Sequence, residues 1–211
     1  MTATILYLIR HGATSANRAT PYRLQGRALD LPLDEVGEGQ ARRAAAVLGA
    51  FPLSAVYTSP LLRARETAGW IARPHGIAPE AVPDLIEASL GRWEGLTWDQ
   101  VREAEPGLYR NFQERSGEAP YPEGESFLDA QRRMVRAVSA IASANPGRRV
   151  AVVGHNVTNR AYLAHLMGVP IGRARAIRQA NGGINTLETH EDGSLFVQTL
   201  NARFHLDDPA T

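Results

Sequence analysis

Two apolar runs, far apart in the chain, each break off at a histidine, and no other feature constrains the fold as much. Ile5-Leu6-Tyr7-Leu8-Ile9 leads straight into Arg10-His11-Gly12, and Arg149-Val150-Ala151-Val152-Val153 leads into Gly154-His155-Asn156. Both runs have the length and residue types of a buried strand. Strands that end this way deliver side chains to the edge of a sheet, where the crevice outside the carboxyl ends of parallel strands holds ligands. Two of them are expected to face two imidazoles into one pocket.

The segments between these runs alternate in type. Ala13 to Leu33 is polar and turn-rich and reads as a long loop of the functional kind. Asp34 or Glu35 opens a helix to Ala50, with Ala41, Ala44, Ala45 and Leu48 at helical spacing. Ser54 to Thr58 is a short strand. Ser59 with Pro60 then signals the start of a helix running to about Ala72. Val82 to Ile86 is a candidate strand, followed by Glu87 and a turn-rich stretch in which Trp93 looks exposed. Trp98 to Ala104 and Leu108 to Arg115 are short helical pieces. Ser126 to Ser143 is the longest helix, and Thr158 to Met167 another. Asn181 to Thr189 and Leu195 to Leu200 read as a hairpin turning at Glu191-Asp192-Gly193. The tail from His205 to Thr211 is expected to fray. This order predicts an α/β fold: a three-layer α/β/α sandwich on a mainly parallel sheet, with a lid inserted between about residues 90 and 125.

Composition narrows the function. A length of 211 residues suits one domain spanning residues 1–211. The net charge of +1 gives no reason to expect nucleic acid or a membrane surface, and no apolar run approaches the ~20 residues of a transmembrane helix. Met1-Thr2-Ala3-Thr4 has no basic leader character, so a cytoplasmic location is the expectation. There is no cysteine, which removes disulfides, thiolate nucleophiles and cysteine metal sites. There is no lysine either; all 23 basic residues are arginine. A nucleotide P-loop and Schiff-base chemistry both need a lysine and are excluded. Without a His-Glu-x-x-His run or a carboxylate cluster near the histidine strands, neither a metal nor a cofactor is expected.

The chemistry-bearing residues fall at strand ends and helix starts: Arg10 and His11, Arg63 early in the second helix, Glu87, and His155. Arginine forks match phosphate oxygens, and helix N-termini after Gly12 and Gly154 would add backbone donors. An imidazole can attack phosphorus, and a carboxylic acid can protonate the departing oxygen. His75, His165, His190 and His205 are expected to be structural or on the surface. Arg42-Arg43 and Arg132-Arg133 read as solvated helix faces.

These residues sit within a longer set: Leu8-Ile9-Arg10-His11-Gly12-Ala13-Thr14 with Asn17; Gln25-Gly26 with Asp30-Leu31-Pro32-Leu33 and Gly37; Tyr57-Thr58-Ser59-Pro60-Leu61-Leu62-Arg63-Ala64; Glu87 with Gly91-Arg92-Trp93-Glu94-Gly95; Gly124-Glu125-Ser126; and Val153-Gly154-His155. In this order they make the chain resemble the histidine phosphatase superfamily, the phosphoglycerate-mutase-like branch one, over nearly its whole length. The resemblance implies a metal-independent phosphomonoester hydrolase of the small phosphatase type. His11 would become phosphohistidine. Arg10, Arg63, Asn17, His155 and Asn156 would bind the phosphoryl group. Glu87 would be the general acid, with Glu94 its nearest rival, and Gln25, Gly26 and Trp93 would contact substrate. The expected partner is a small phosphorylated metabolite, and the hairpin at a sheet edge is a surface on which two copies could pair. Two rivals share the fold: a cofactor-dependent phosphoglycerate mutase, and a catalytically silent phosphate-binding module. Mutases resemble this chain but carry an adjacent arginine pair in a longer lid. The comparable stretch here, Tyr109 to Arg115, has none.

Overall fold

The computed structural model describes residues 2–190 and 192–206. Its centre is a six-stranded sheet in the order β3-β2-β4-β1-β5-β6. The strands are β1 (Ile5–Arg10), β2 (Leu53–Thr58), β3 (Glu80–Ala81), β4 (Arg149–Gly154), β5 (Ile184–Thr189) and β6 (Leu195–Ala202). The first four run parallel; β5 lies antiparallel to β1, and β6 antiparallel to β5 at the edge. The helices are α1 (Ser15–Arg18), α2 (Glu35–Leu48), α3 (Leu62–Ala72), α4 (Trp98–Ala104), α5 (Pro106–Glu114), α6 (Phe127–Ala144) and α7 (Asn156–Leu166).

Strand periodicity divides the core into two. Leu6, Leu8, Val150 and Val152 point to one face and pack with α6, α7 and the aromatic lid residues. Tyr7, Ile9, Ala151 and Val153 point to the other and pack under α2 and α3. This is the expected sandwich. The register sets the site: Ile5 pairs with Arg149 and Arg10 with Gly154, so His11 and His155 both follow the last paired position of neighbouring strands. The His11 N–H donates to the Gly154 carbonyl (3.1 Å), closing the sheet just where the two side chains leave it.

Several local expectations are corrected. The loop after β1 contains α1, a single turn held by a capping box between Thr14 and Asn17. The second long helix begins at Leu62 rather than Pro60. Ser59 Oγ accepts the Leu61 N–H (3.3 Å), and the first-turn Leu62 N–H is taken by the carboxylate of Asp30, distant in sequence. Val82 to Ile86 is not a strand: β3 stops at Ala81 and Pro83–Leu85 forms a 3-10 turn. Pro83 brings no N–H to a ladder and a fixed φ. α5 starts at Pro106, two residues before the expected Leu108, and α7 starts at Asn156, two before Thr158. β6 extends to Ala202. Of the hairpin turn, Glu191 lies outside the described residues. So do residues 207–211 of the tail; His205 and Leu206 form a turn, with His205 Nε2 3.0 Å from the Gly182 carbonyl.

One backbone contact fixes the loop that carries the first histidine. Gly12 and Gly37 meet so closely that a Cβ on either would run into the backbone opposite, the Gly37 carbonyl in one case and Ala13 in the other. Only glycine lets the end of β1 press against the first turn of α2.

Candidate active site

His11 is buried, and its orientation is determined. Nδ1 lies 2.6 Å from the Gly12 carbonyl, which can only accept, so the proton sits on Nδ1. Nε2 therefore keeps its lone pair, and it accepts from Arg63 Nε (3.3 Å). Burial, then Arg63 and Arg10, hold the imidazole pKa well below the usual histidine range. The group is neutral at neutral pH, and its Nε2 lone pair is met by the Arg63 Nε–H.

His155 stands beside it, ring centroids 5.1 Å apart and planes at 60°. It too is buried, and neither ring nitrogen has a hydrogen-bond partner in the protein. Burial and then Arg63 push its pKa well below the normal value. A buried imidazole without partners is unusual in a folded protein and marks a place for a ligand.

Two guanidinium groups complete the wall. Arg10 donates from Nη1 to the Gln179 carbonyl (2.7 Å), while its buried Nε has no partner. Burial lowers its pKa to about 10, so it stays charged at neutral pH. Arg63 is completely buried. Its Nη2 donates to the Gly26 carbonyl (2.8 Å), and Nη1 reaches the Leu29 carbonyl (3.3 Å) and Asp30 Oδ1 (3.4 Å). The long loop after β1 thus acts as a clamp that aims Arg63 at His11. Two buried cations against little fixed negative charge make the pocket a trap for an anion.

Glu87 is buried next to the start of α7. Oε1 accepts the N–H of Ala88 (2.9 Å) and of Thr158 (3.2 Å), and Oε2 accepts that of Val157 (3.1 Å). The donors expected at the helix start after Gly154 for a phosphate are therefore spent on Glu87. The same correction applies after Gly12: the N–H of Gly12 goes to Thr67 Oγ1 (3.1 Å) and that of Ala13 to Gln40 Oε1 (2.9 Å). Side-chain groups, Arg10 Nε and both ring nitrogens of His155, are left without protein partners. Glu94, the rival acid, serves the clamp through Oε1, which accepts from the N–H of Gly26 (3.0 Å) and of Leu29.

The remaining candidates divide. Asn17 is tied to Thr14, Gln25 and Asn181, and so caps α1 at the margin of the site. Gln25 is buried and bonded to Thr14, Asn17 and the Leu29 carbonyl, while also lining the cavity in front of Glu87. Gly26 offers its carbonyl to Arg63, and a Cβ there would meet Ala88 and Glu94. Asn156 lines the same cavity with Oδ1 unpartnered. Trp93 is a correction: it is 1% exposed, packs edge-on against Trp98, Phe112 and Tyr121, and donates Nε1 to Glu105. It is the core of the lid, not a substrate contact, because the Gly91–Trp93 3-10 turn directs the ring inward.

The residue pattern also concealed Arg133, read as part of a solvated face. It is buried, pairs with Glu125, and donates to the carbonyls of Asp84 and Ile86, holding the segment that presents Glu87. Its spacing from Ala130 and Ala137, on the apolar stripe of α6, was the available signal. Tyr22, Arg160 and Arg175, unassigned in the sequence, line the 330 Å³ cavity beside Glu87.

A sequence model of the histidine phosphatase superfamily (branch 1) matches residues 6–202. The chain belongs to this superfamily. It is a phosphatase-family enzyme on the fold expected. A protein named probable phosphoglycerate mutase GpmB, from Cronobacter sakazakii, is 32% identical over 97% of this chain and 96% of its own length. Among solved structures, Bacillus stearothermophilus YhfR superposes with a TM-score of 0.87 at 32% identity, covering 97% of this chain and 100% of that one. The mycobacterial glucosyl-3-phosphoglycerate phosphatase Rv2419c superposes at 0.84 with 28% identity, over 95% and 99%. Among the described residues, no helix is long and apolar enough to cross a membrane, and no three His, Asp or Glu side chains cluster as a metal site would need.

Proposed function

We propose that this chain hydrolyses phosphomonoesters through a phosphohistidine on His11, without a metal. The observation that carries the reading is the tautomer: Gly12 holds the Nδ1 proton and leaves Nε2 unprotonated beside Arg63. Nε2 would attack phosphorus in line. The P–N bond forms as the ester P–O bond breaks, and Glu87 protonates the departing alkoxide. Water then attacks the phosphohistidine and gives its proton to Glu87, and the P–N bond breaks to release inorganic phosphate and restore neutral His11. Arg10, Arg63 and His155 would neutralise the equatorial oxygens in both steps, supplying the charge stabilisation that a metal brings elsewhere. The substrate is a small phosphorylated metabolite that fits the cavity in front of Glu87.

Rapid acid-free quench with a 32P-labelled ester tests this. The wild type should retain an acid-labile, base-stable label, and His11→Ala should lose both the label and turnover by several orders of magnitude. Label on a serine or aspartate, or an active His11→Ala, ends the proposal.

One observation favours a second reading, a phosphoglycerate mutase: the relative at 32% identity carries that name. The lid argues against it. Arg110 and Arg115 are not adjacent, and both are exposed. Phosphate release should therefore exceed interconversion of 2- and 3-phosphoglycerate, even with bisphosphate primer present. Fast mutase turnover with little phosphate would reverse this choice.

A further inference from the structure

Once the phosphoryl pocket is accounted for, two arginines remain in the adjoining cavity. We propose that Arg160 and Arg175 form a second anion subsite, so that the preferred ester carries a further anionic group, a carboxylate or a second phosphate, on its leaving-group side. This rests on the phosphatase reading above and specifies its substrate class.

Placement comes first. Arg160 lies one helical turn after Asn156 on α7, so the two share a face, and both line the cavity with Glu87. A group leaving past Glu87 therefore enters the space that Arg160 borders. Arg175 comes from the 3-10 turn Ile171–Ala176 and closes the cavity from the lid side.

Their partners come second. Arg160 Nε and Arg175 Nη2 are buried and have no hydrogen-bond partner, and neither arginine belongs to an ion pair among the described residues. The one carboxylate lining the cavity, Glu87, already accepts three backbone N–H groups. Buried donors of this kind are normally satisfied; Tyr121 and Gln113 engage other parts of the Arg175 guanidinium, and Arg160 Nε and Arg175 Nη2 are left over.

Third, Arg175 is pre-set. Its guanidinium lies 4.3 Å from the Phe112 ring centroid, with the Trp98 and Phe127 rings also within 6 Å, and Nη1 donates to Gln113 (3.2 Å). A fork held in this way meets an anion with little further loss of freedom. Burial lowers the pKa of both arginines; Tyr22, Glu87 and Tyr121 offset part of this at Arg160, where Arg175 adds to it, and Tyr121 and Tyr109 offset part of it at Arg175. A bound anion relieves both penalties.

The test compares matched esters. 3-Phosphoglycerate and glycerol 3-phosphate differ by a carboxylate in place of a hydroxymethyl group, and glycerol 1,3-bisphosphate supplies the second-phosphate arm. Wild-type kcat/KM should favour at least one anionic member about tenfold or more over glycerol 3-phosphate, as charge-assisted hydrogen bonds do. The favoured arm identifies the anion. Arg160→Gln and Arg175→Gln should each reduce that ratio about tenfold, chiefly through KM. A variant that merely folds poorly lowers both rates and leaves the ratio unchanged. No preference in the wild type, or a ratio untouched by both variants, overturns the subsite while the phosphatase reading stands. If no ester turns over, that reading fails, and calorimetric binding of the same pair decides the subsite: tighter binding of the anionic member, weakened by Arg160→Gln, supports it, and equal binding rejects it.

Discussion

Folding stability should fall steeply between pH 7.5 and 5.5, and two residues should account for the difference. His11 and His155 are buried beside Arg10 and Arg63, and both have pKa values well below the ordinary 6.5. In the unfolded chain both bind protons as the pH drops through 6.5; in the folded protein they do so only at lower pH. The unfolded state therefore gains protons over this window, and stability declines as pH falls. A histidine held neutral across the whole window would lose about 1.4 kcal/mol between pH 7.5 and 5.5, so the pair can lose up to about 2.8 kcal/mol. In a chain of this size, about 2–4 °C of Tm per kcal/mol translates this into a drop of up to about 6–11 °C. The assay is thermal unfolding by circular dichroism in phosphate-free buffers across the window, for wild type and the double variant His11→Gln/His155→Gln. Every other titrating group is common to both, so the difference in slope isolates the pair. The wild type should lose more than the variant, by up to about 2.8 kcal/mol, each single variant should remove part of that difference, and added inorganic phosphate should protect the wild type more than the double variant. Parallel pH profiles for wild type and double variant would refute the claim that these imidazoles are buried neutral.

Three further outcomes follow from the geometry. Glu87→Gln should slow esters with poor leaving groups far more than p-nitrophenyl phosphate, whose leaving group barely needs a proton; equal losses in steady-state rate would deny Glu87 the acid role. Dialysis against EDTA should leave activity intact, and a divalent requirement restored by re-addition would show that the cationic work is not done by Arg10 and Arg63. Trp93→Ala should cost about 3–5 kcal/mol in urea titrations, because it empties the centre of the lid cluster, and a loss below 1 kcal/mol would contradict its buried position.

What could be read in the sequence was what local pattern determines. β1 and β4 each carry an unbroken apolar run, Ile5 to Ile9 and Val150 to Val153, so both strands and the histidines closing them were visible. α6 was visible because Phe127, Ala130, Met134, Val138 and Ile141 recur on one helical face, and the structure adds a cap in which Ser126 and Asp129 bond each other. The failures involve partners distant in sequence. The start of α3 depends on Asp30, which no local signal at Ser59-Pro60 reveals. Val82 to Ile86 has strand-like residue types, but Pro83 turns it, and Arg133 then bonds to its carbonyls. Trp93, flanked by glycines, looked exposed until the lid folded over it. Arg160 and Arg175 were hidden for a compositional reason: in a lysine-free chain, every cation is an arginine, and only tertiary structure separates those facing a cavity from those facing water.

The neighbour relation of β1 and β4 also bears on how the enzyme comes into being. β1 is synthesised first, yet its partners in the sheet are β4 and β5, both made late; β2 likewise flanks β4. The parallel sheet closes only when residues 149–154 slot between two strands that have been waiting without each other. That same insertion brings His155 next to His11. A nascent chain that stops short of β4 already carries Arg10, His11 and Arg63 but has neither the central strand nor His155. Completing the sheet and bringing the two histidines together are therefore a single event.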